Sequence, residues 1–97
     1  MSKIYVIGSV SCSLDKIESA AEKFSKSGNY VKSVGRSEGM TLEDLIYICY
    51  QVIENWADIV VAVPKSIVNG TPIFGDGTTY EIEHAKSFKK PVLIFWD

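Results

Sequence analysis

Apolar residues along this chain recur in two rhythms: short unbroken runs, and spacings of three and four between those runs. Ile4-Tyr5-Val6-Ile7 is such a run, closed by Gly8-Ser9, and it has the length of a buried strand. Leu14, Ile17, Ala20, Ala21 and Phe24 follow with helical spacing. Ser13 stands in the N-cap position for that helix, and Ser27-Gly28-Asn29 stops it. Tyr30 to Val34 is a weaker strand, predicted near a sheet edge because Lys32 and Ser33 interrupt it. Gly35 to Met40 is a polar loop.

Thr41 begins a second helix, with Asp44 placed for a contact like that of a capping box. Its inward stripe is Leu42, Leu45, Cys49, Val52, Ile53 and Trp56, the last read as core. Ile46, Tyr47, Ile48 and Tyr50 widen the apolar surface beyond one stripe. That width predicts a homodimer or higher homo-oligomer through helix 41–56.

Asp58 to Val63 is almost wholly apolar and β-branched, as a central parallel strand is, and Pro64 ends it. Lys65 to Gly77, with Gly70, Pro72, Gly75 and Gly77, is predicted as a loop long enough to be functional. Thr78 to Phe88 forms the third helix and Pro91 to Trp96 the fourth strand. Strands alternate with helices throughout, which implies right-handed crossovers and a mainly parallel sheet. The expected fold is one small α/β domain over residues 1–97, Rossmann-like or flavodoxin-like, three layers deep, with a four-stranded sheet of order 2-1-3-4. In that order the crevice opens between the carboxyl ends of the first and third strands.

The bulk numbers narrow the partners. The 97 residues suffice for one core, and a hydrophobic fraction of 46% excludes a disordered chain. A net charge of -2 without a basic block argues against nucleic acid. No apolar run approaches a membrane span, and the N-terminal run is too short for a signal peptide. Cys12 and Cys49 form no metal pattern with the lone His84, so free thiols in a reducing cytoplasm are expected, with no metal and no cofactor.

Candidate chemistry gathers around the crevice. Gly8 would let a ligand or another backbone approach, and amides after it could hold an anion or hydroxyl. The further glycines of a dinucleotide fingerprint are missing, as is a phosphate-binding Gly-Lys-Ser/Thr. Ser9, Ser11 and Ser13 are nucleophiles on paper, but the single histidine lies far along the third helix, against a serine triad. His84 reads either as a surface histidine or as a neighbour of the crevice. Glu81 also has two readings: Thr78-Thr79-Tyr80-Glu81 fits a capping box, and the same carboxylate sits where a strand-end crevice would place a reactive group.

Three segments together resemble the nucleoside 2-deoxyribosyltransferase superfamily, including its deoxynucleoside-monophosphate glycosidase branch. They are Lys3-Ile4-Tyr5-Val6-Ile7-Gly8-Ser9, Ala57-Asp58-Ile59-Val60-Val61-Ala62, and Gly77-Thr78-Thr79-Tyr80-Glu81-Ile82-Glu83-His84-Ala85 followed by Lys89-Lys90-Pro91-Val92. The last of these is similar to the family's Gly-Lys-Pro-Val. The resemblance implies cleavage or transfer of the N-glycosidic bond of a deoxynucleoside or deoxynucleotide. It implies Glu81 as nucleophile and Tyr5 as the group that orients it. It also implies a sugar or base pocket lined by Gly8, Ser9 and Gly77. Where the family carries an acid in the second helix this chain has Tyr50, and a phenol of ordinary pKa protonates a leaving base poorly at neutral pH. Where it carries a sugar- or phosphate-binding Asp or Ser, this chain has Gly75, with Asp76 one place later. The family also closes its site with a segment beyond the last strand, and this sequence stops at Asp97. A non-catalytic nucleotide- or sugar-binding module is the alternative on the same scaffold, as is an interaction protein built on helix 41–56.

Overall fold

The computed structural model describes residues 1–34 and 41–96. The predicted loop from Gly35 to Met40 lies outside the described residues, as does the side chain of Leu42. In chain order the elements are β1 (Lys3–Gly8), α1 (Val10–Lys26), β2 (Tyr30–Ser33), α2 (Leu42–Asn55), β3 (Ile59–Val63), β4 (Ser66–Val68), β5 (Thr71–Ile73), α3 (Asp76–Ser87) and β6 (Val92–Ile94). Four strands form one sheet in the order β2-β1-β3-β6, and every pair is parallel. This is the α/β, Rossmann-like or flavodoxin-like sheet expected from the alternation, its fourth strand being β6.

Strand pleating sorts the core into two halves. On one face Ile4 and Val6 of β1 and Val61 and Val63 of β3 meet Ile17 and Ala20 of α1. On the other, Tyr5, Ile7, Val60 and Ala62 meet Cys49 and Ile53 of α2 and Ile82 and Ala85 of α3. Alternate residues of a strand point to opposite faces, so an unbroken apolar run is what a strand covered on both sides requires. From β1 the chain turns one way to β2, and from β2 through β3 to β6 it runs the other way. Right-handed crossovers then put α1 on one face and α2 with α3 on the opposite one. The reversal falls between β1 and β3, whose ends pair as Gly8 with Val63.

The structure corrects three boundaries. Helix α1 starts at Val10 rather than after Ser13. Ser13 is a kink inside it (φ -131°, ψ 20°), buried, with its Oγ donating to the carbonyl of Pro64 at 3.4 Å. Residues 65–77 are not one loop: β4 and β5 form an antiparallel hairpin with Val68 opposite Thr71. Asn69 (φ 50°) and Gly70 (φ 79°) make its two-residue turn, the left-handed pair that matches strand twist. Helix α3 begins at Asp76, with Gly75 as N-cap, two residues before the predicted Thr78.

Candidate functional site

The end of β1, the first turns of α1 and α3 and one side of α2 enclose an open cleft of about 280 Å³. Gly8, Ser9, Val10 and Ser11 line it from β1 and α1, and Gly75, Gly77, Thr78 and Glu81 from α3. Leu45, Ile46 and Cys49 of α2 and Val34 after β2 complete an apolar wall. The volume is near the ~300 Å³ lower end of small-molecule sites, so one sugar- or base-sized group fills it. Neither α1 nor α3 has a side-chain cap at its N-terminus. Both bring first-turn residues to the cleft, where free N–H groups and helix dipoles favour electronegative ligand atoms.

Gly8 has a packing reason as well as a place in the lining. A Cβ there would lie 3.0 Å from Ile17 and 3.0 Å from the carbonyl oxygen of Val63, so α1 and β3 both close on the bare backbone. Ser9 is the N-cap position of α1, and its Oγ lies 3.2 Å from that of Ser11.

Glu81 occupies the sixth position of α3, one turn too deep for the capping box its sequence suggests. The N-cap is Gly75, which has no side chain to share in such a box, and Thr79 Oγ1 donates to the Gly75 carbonyl. The residue is only 7% exposed, and its Oε2 is buried with no hydrogen-bond partner. Desolvation disfavours the charged form and pushes the group up to about 7, while a hydrogen bond from Cys49 pulls the other way. At neutral pH Glu81 is therefore poised between acid and carboxylate.

Tyr5, expected to hold Glu81 directly, sits beneath the cleft rather than in its wall. Its phenol donates to Cys49 Sγ at 3.1 Å. Burial chiefly, and then the Cys49 and Glu81 contacts, raise the phenol far above its ordinary value, so it stays protonated. Cys49 is likewise pushed up, to about 11, mainly by burial. Cys49 thus bonds Tyr5 and lines the cleft together with Glu81. In the sequence it was one more apolar position of a helical stripe, and only its place one turn beyond Leu45 hinted at the cleft wall.

The other candidates divide. Gly77 lines the cleft with Glu81, Gly8 and Ser9. Asp76 is exposed at the first position of α3 and is not part of the wall. Tyr50 is not either: its ring stacks on His84, centroids 3.9 Å apart. His84 in turn bonds Glu54 at 2.8 Å, which ties α3 to α2 and gives the lone histidine a structural neighbourhood. Leu45, Ile46, Val34 and Thr78 join the wall without having been candidates.

Cys12 is exposed and Cys49 buried, and both are free thiols. Among the described residues no group of three His, Cys, Asp or Glu side chains could hold a metal, and no helix is long and apolar enough to cross a membrane. Comparison with protein-family models, with curated proteins and with solved structures finds no match.

Proposed function

We propose that the protein cleaves or transfers the N-glycosidic bond of a deoxynucleoside or deoxynucleotide, with Glu81 as the nucleophile. The observation that carries this reading is a buried carboxyl with one unpartnered oxygen, set in a cleft at the β1/β3 reversal. The ionised carboxylate attacks the anomeric carbon, and the carbon–nitrogen bond breaks with its electron pair leaving on the base. The base takes a proton from solvent, since Glu81 is the sole carboxyl among the described wall residues. Water or a second base then displaces the glycosyl ester and returns the carboxylate. Desolvation makes Glu81 a better nucleophile once ionised, and a raised midpoint near 7 keeps about half of the molecules in that form at neutral pH.

Long incubation of concentrated protein with a panel of deoxynucleosides and their monophosphates tests the reading, with free base followed by chromatography. Release by wild type and none by Glu81→Gln is expected. Equal release by both sinks the proposal.

A second reading is favoured by Tyr50, whose ring is committed to His84. With no second acid from that position, the cleft suits a module that binds the same ligands without cleaving them. Thermal stabilisation by a nucleoside or nucleotide with no product would mark this outcome. Either reading keeps the proposed homo-oligomer through helix 41–56, supported by the exposed side chains of Tyr47 and Ile48 on α2. Light scattering across a concentration series checks it.

A further inference from the structure

We propose that the open edge of β6 is an interface between two copies of this chain, which pair antiparallel across a two-fold axis at Leu93 and join their sheets into one. β6 is the last strand of its sheet, and no described strand lies beyond it. The carbonyl of Pro91 accepts from the Val60 amide, and the amide of Phe95 donates to the Ala62 carbonyl, both at 2.9 Å. Successive residues of a strand turn their N–H and C=O to alternate sides. Leu93 therefore faces β3 as well, while Val92 and Ile94 turn theirs to the open edge.

An antiparallel pair centred on Leu93 uses all of these outward groups. Val92 exchanges both of its hydrogen bonds with Ile94 of the second copy, and Ile94 does the same with Val92. The two Leu93 residues become the close, non-hydrogen-bonded pair between them. The two edges of the sheet differ in what guards them. On β2, Lys32 and Ser33 are exposed, and such polar side chains keep a strand from pairing. On β6 no residue is charged. Leu93 is 47% and Ile94 48% exposed, and Trp96 just past the strand is 45% exposed. With about 200 Å² for a whole side chain of this size, they offer roughly 300 Å² per copy. A standard interface covers ~800 Å² per partner, about 450 Å² of it apolar. The β6 edge falls short of that, so the dimer belongs to the weak, concentration-dependent class.

The second copy fits this edge better than a head-to-tail arrangement does. Pairing β6 with β2 of the next molecule would set the apolar edge against Lys32 and grow without closing. The two-fold also lays α3, which packs on β3 and β6, antiparallel to its counterpart. His84 marks the flank of α3 that faces α2. On the flank away from it, exposed Glu83 and Lys86 carry opposite charges, which the two-fold sets against each other in both directions. This surface is separate from helix 41–56 and does not rest on the glycosyl reading.

Amide hydrogen exchange by NMR, from about 10 μM to about 1 mM protein, tests the interface alongside sedimentation velocity. The mass is expected to rise from monomer towards dimer over that range. The amides of Val92 and Ile94 are expected to gain protection with it, while that of Leu93 is protected throughout. Leu93→Lys/Ile94→Lys places charges on an edge that is already half exposed. It is expected to abolish the gain at Val92 and to lower the dimer fraction at least tenfold. Tyr47→Glu, on the other proposed surface, is expected to leave the protection at Val92 and Ile94 unchanged. A dimer whose Val92 and Ile94 amides stay open overturns the inference, as does growth into filaments. A monomer at every concentration also overturns it and leaves the edge to a strand of another protein. Should the double variant fail to fold, the wild-type exchange pattern decides alone.

Discussion

The ring of Tyr50 lies flat on the imidazole of His84, with centroids 3.9 Å apart and planes 7° apart. Phe88 closes on the other ring contact of His84 at 4.9 Å, and Glu54 bonds its Nε2. The position that resemblance would give to an acid is thereby part of the clasp between α2 and α3. A double-mutant cycle between Tyr50→Ala and His84→Ala is expected to give a coupling of about 0.5–1.5 kcal/mol in urea denaturation. Tyr50→Phe keeps the stack and is expected to leave both stability and any base release near wild type. A large loss of activity in Tyr50→Phe would return the phenol to the chemistry.

The buried carboxyl of Glu81 makes stability depend on pH. A solvated glutamate titrates at 4.5 and this one at about 7, so between those values the native state holds a proton that the unfolded chain has lost. The contribution is complete below pH 4.5 and is lost as pH rises through 7. The full span corresponds to about 3 kcal/mol. Glu81→Gln removes the dependence. It is expected to match wild type near pH 4.5, to exceed it increasingly as pH rises to about 7, and to keep a constant lead above that in denaturant midpoints. Parallel pH profiles for the two proteins would mean that Glu81 titrates normally.

Gly8 is held bare by Ile17 and the Val63 carbonyl, each 3.0 Å from where a Cβ would stand. Ile17 can shift a little, but the carbonyl belongs to the central strand. Gly8→Ala is therefore expected to cost about 1–3 kcal/mol by overpacking. Thermal denaturation checks it. A neutral outcome would mean that β1 and β3 separate more easily than their register implies.

Lys89 has φ 57°, the left-handed conformation that commonly follows a helix and favours glycine. It follows the C-cap residue Phe88, and Lys90 N–H returns to the Ala85 carbonyl at 2.9 Å. The segment that resembles Gly-Lys-Pro-Val thus carries a lysine at the position that favours glycine. Lys89→Gly is expected to stabilise the protein by ~0.5–1 kcal/mol. A loss of stability would show that the lysine side chain contributes more than its backbone strain costs.

The sequence by itself determined the sheet. A strand covered on both faces must be apolar at successive positions, so β1 and β3 were legible as runs. Helical spacing between the runs then fixed the alternation, and the expected order 2-1-3-4 is the one the sheet adopts as β2-β1-β3-β6. Asn69-Gly70 is a hairpin-turn signal that the reading of residues 65–77 as one loop passed over, because the glycines and proline around it suggested irregular backbone. The start of α3 was hidden because Gly75-Asp76-Gly77 has poor helix propensity, which tertiary packing at the end of β3 overrides. That shift of two residues decides the meaning of Glu81: at the cap it would need no other role, and one turn deeper it is a desolvated acid. Tertiary structure alone also decided the parts of Cys49 and Tyr50. Periodicity says which helix face turns inward, but the partner across the gap belongs to another element. The strand ends and helix starts that meet there place Cys49 against Tyr5 and in the same cleft lining as Glu81, and Tyr50 against His84.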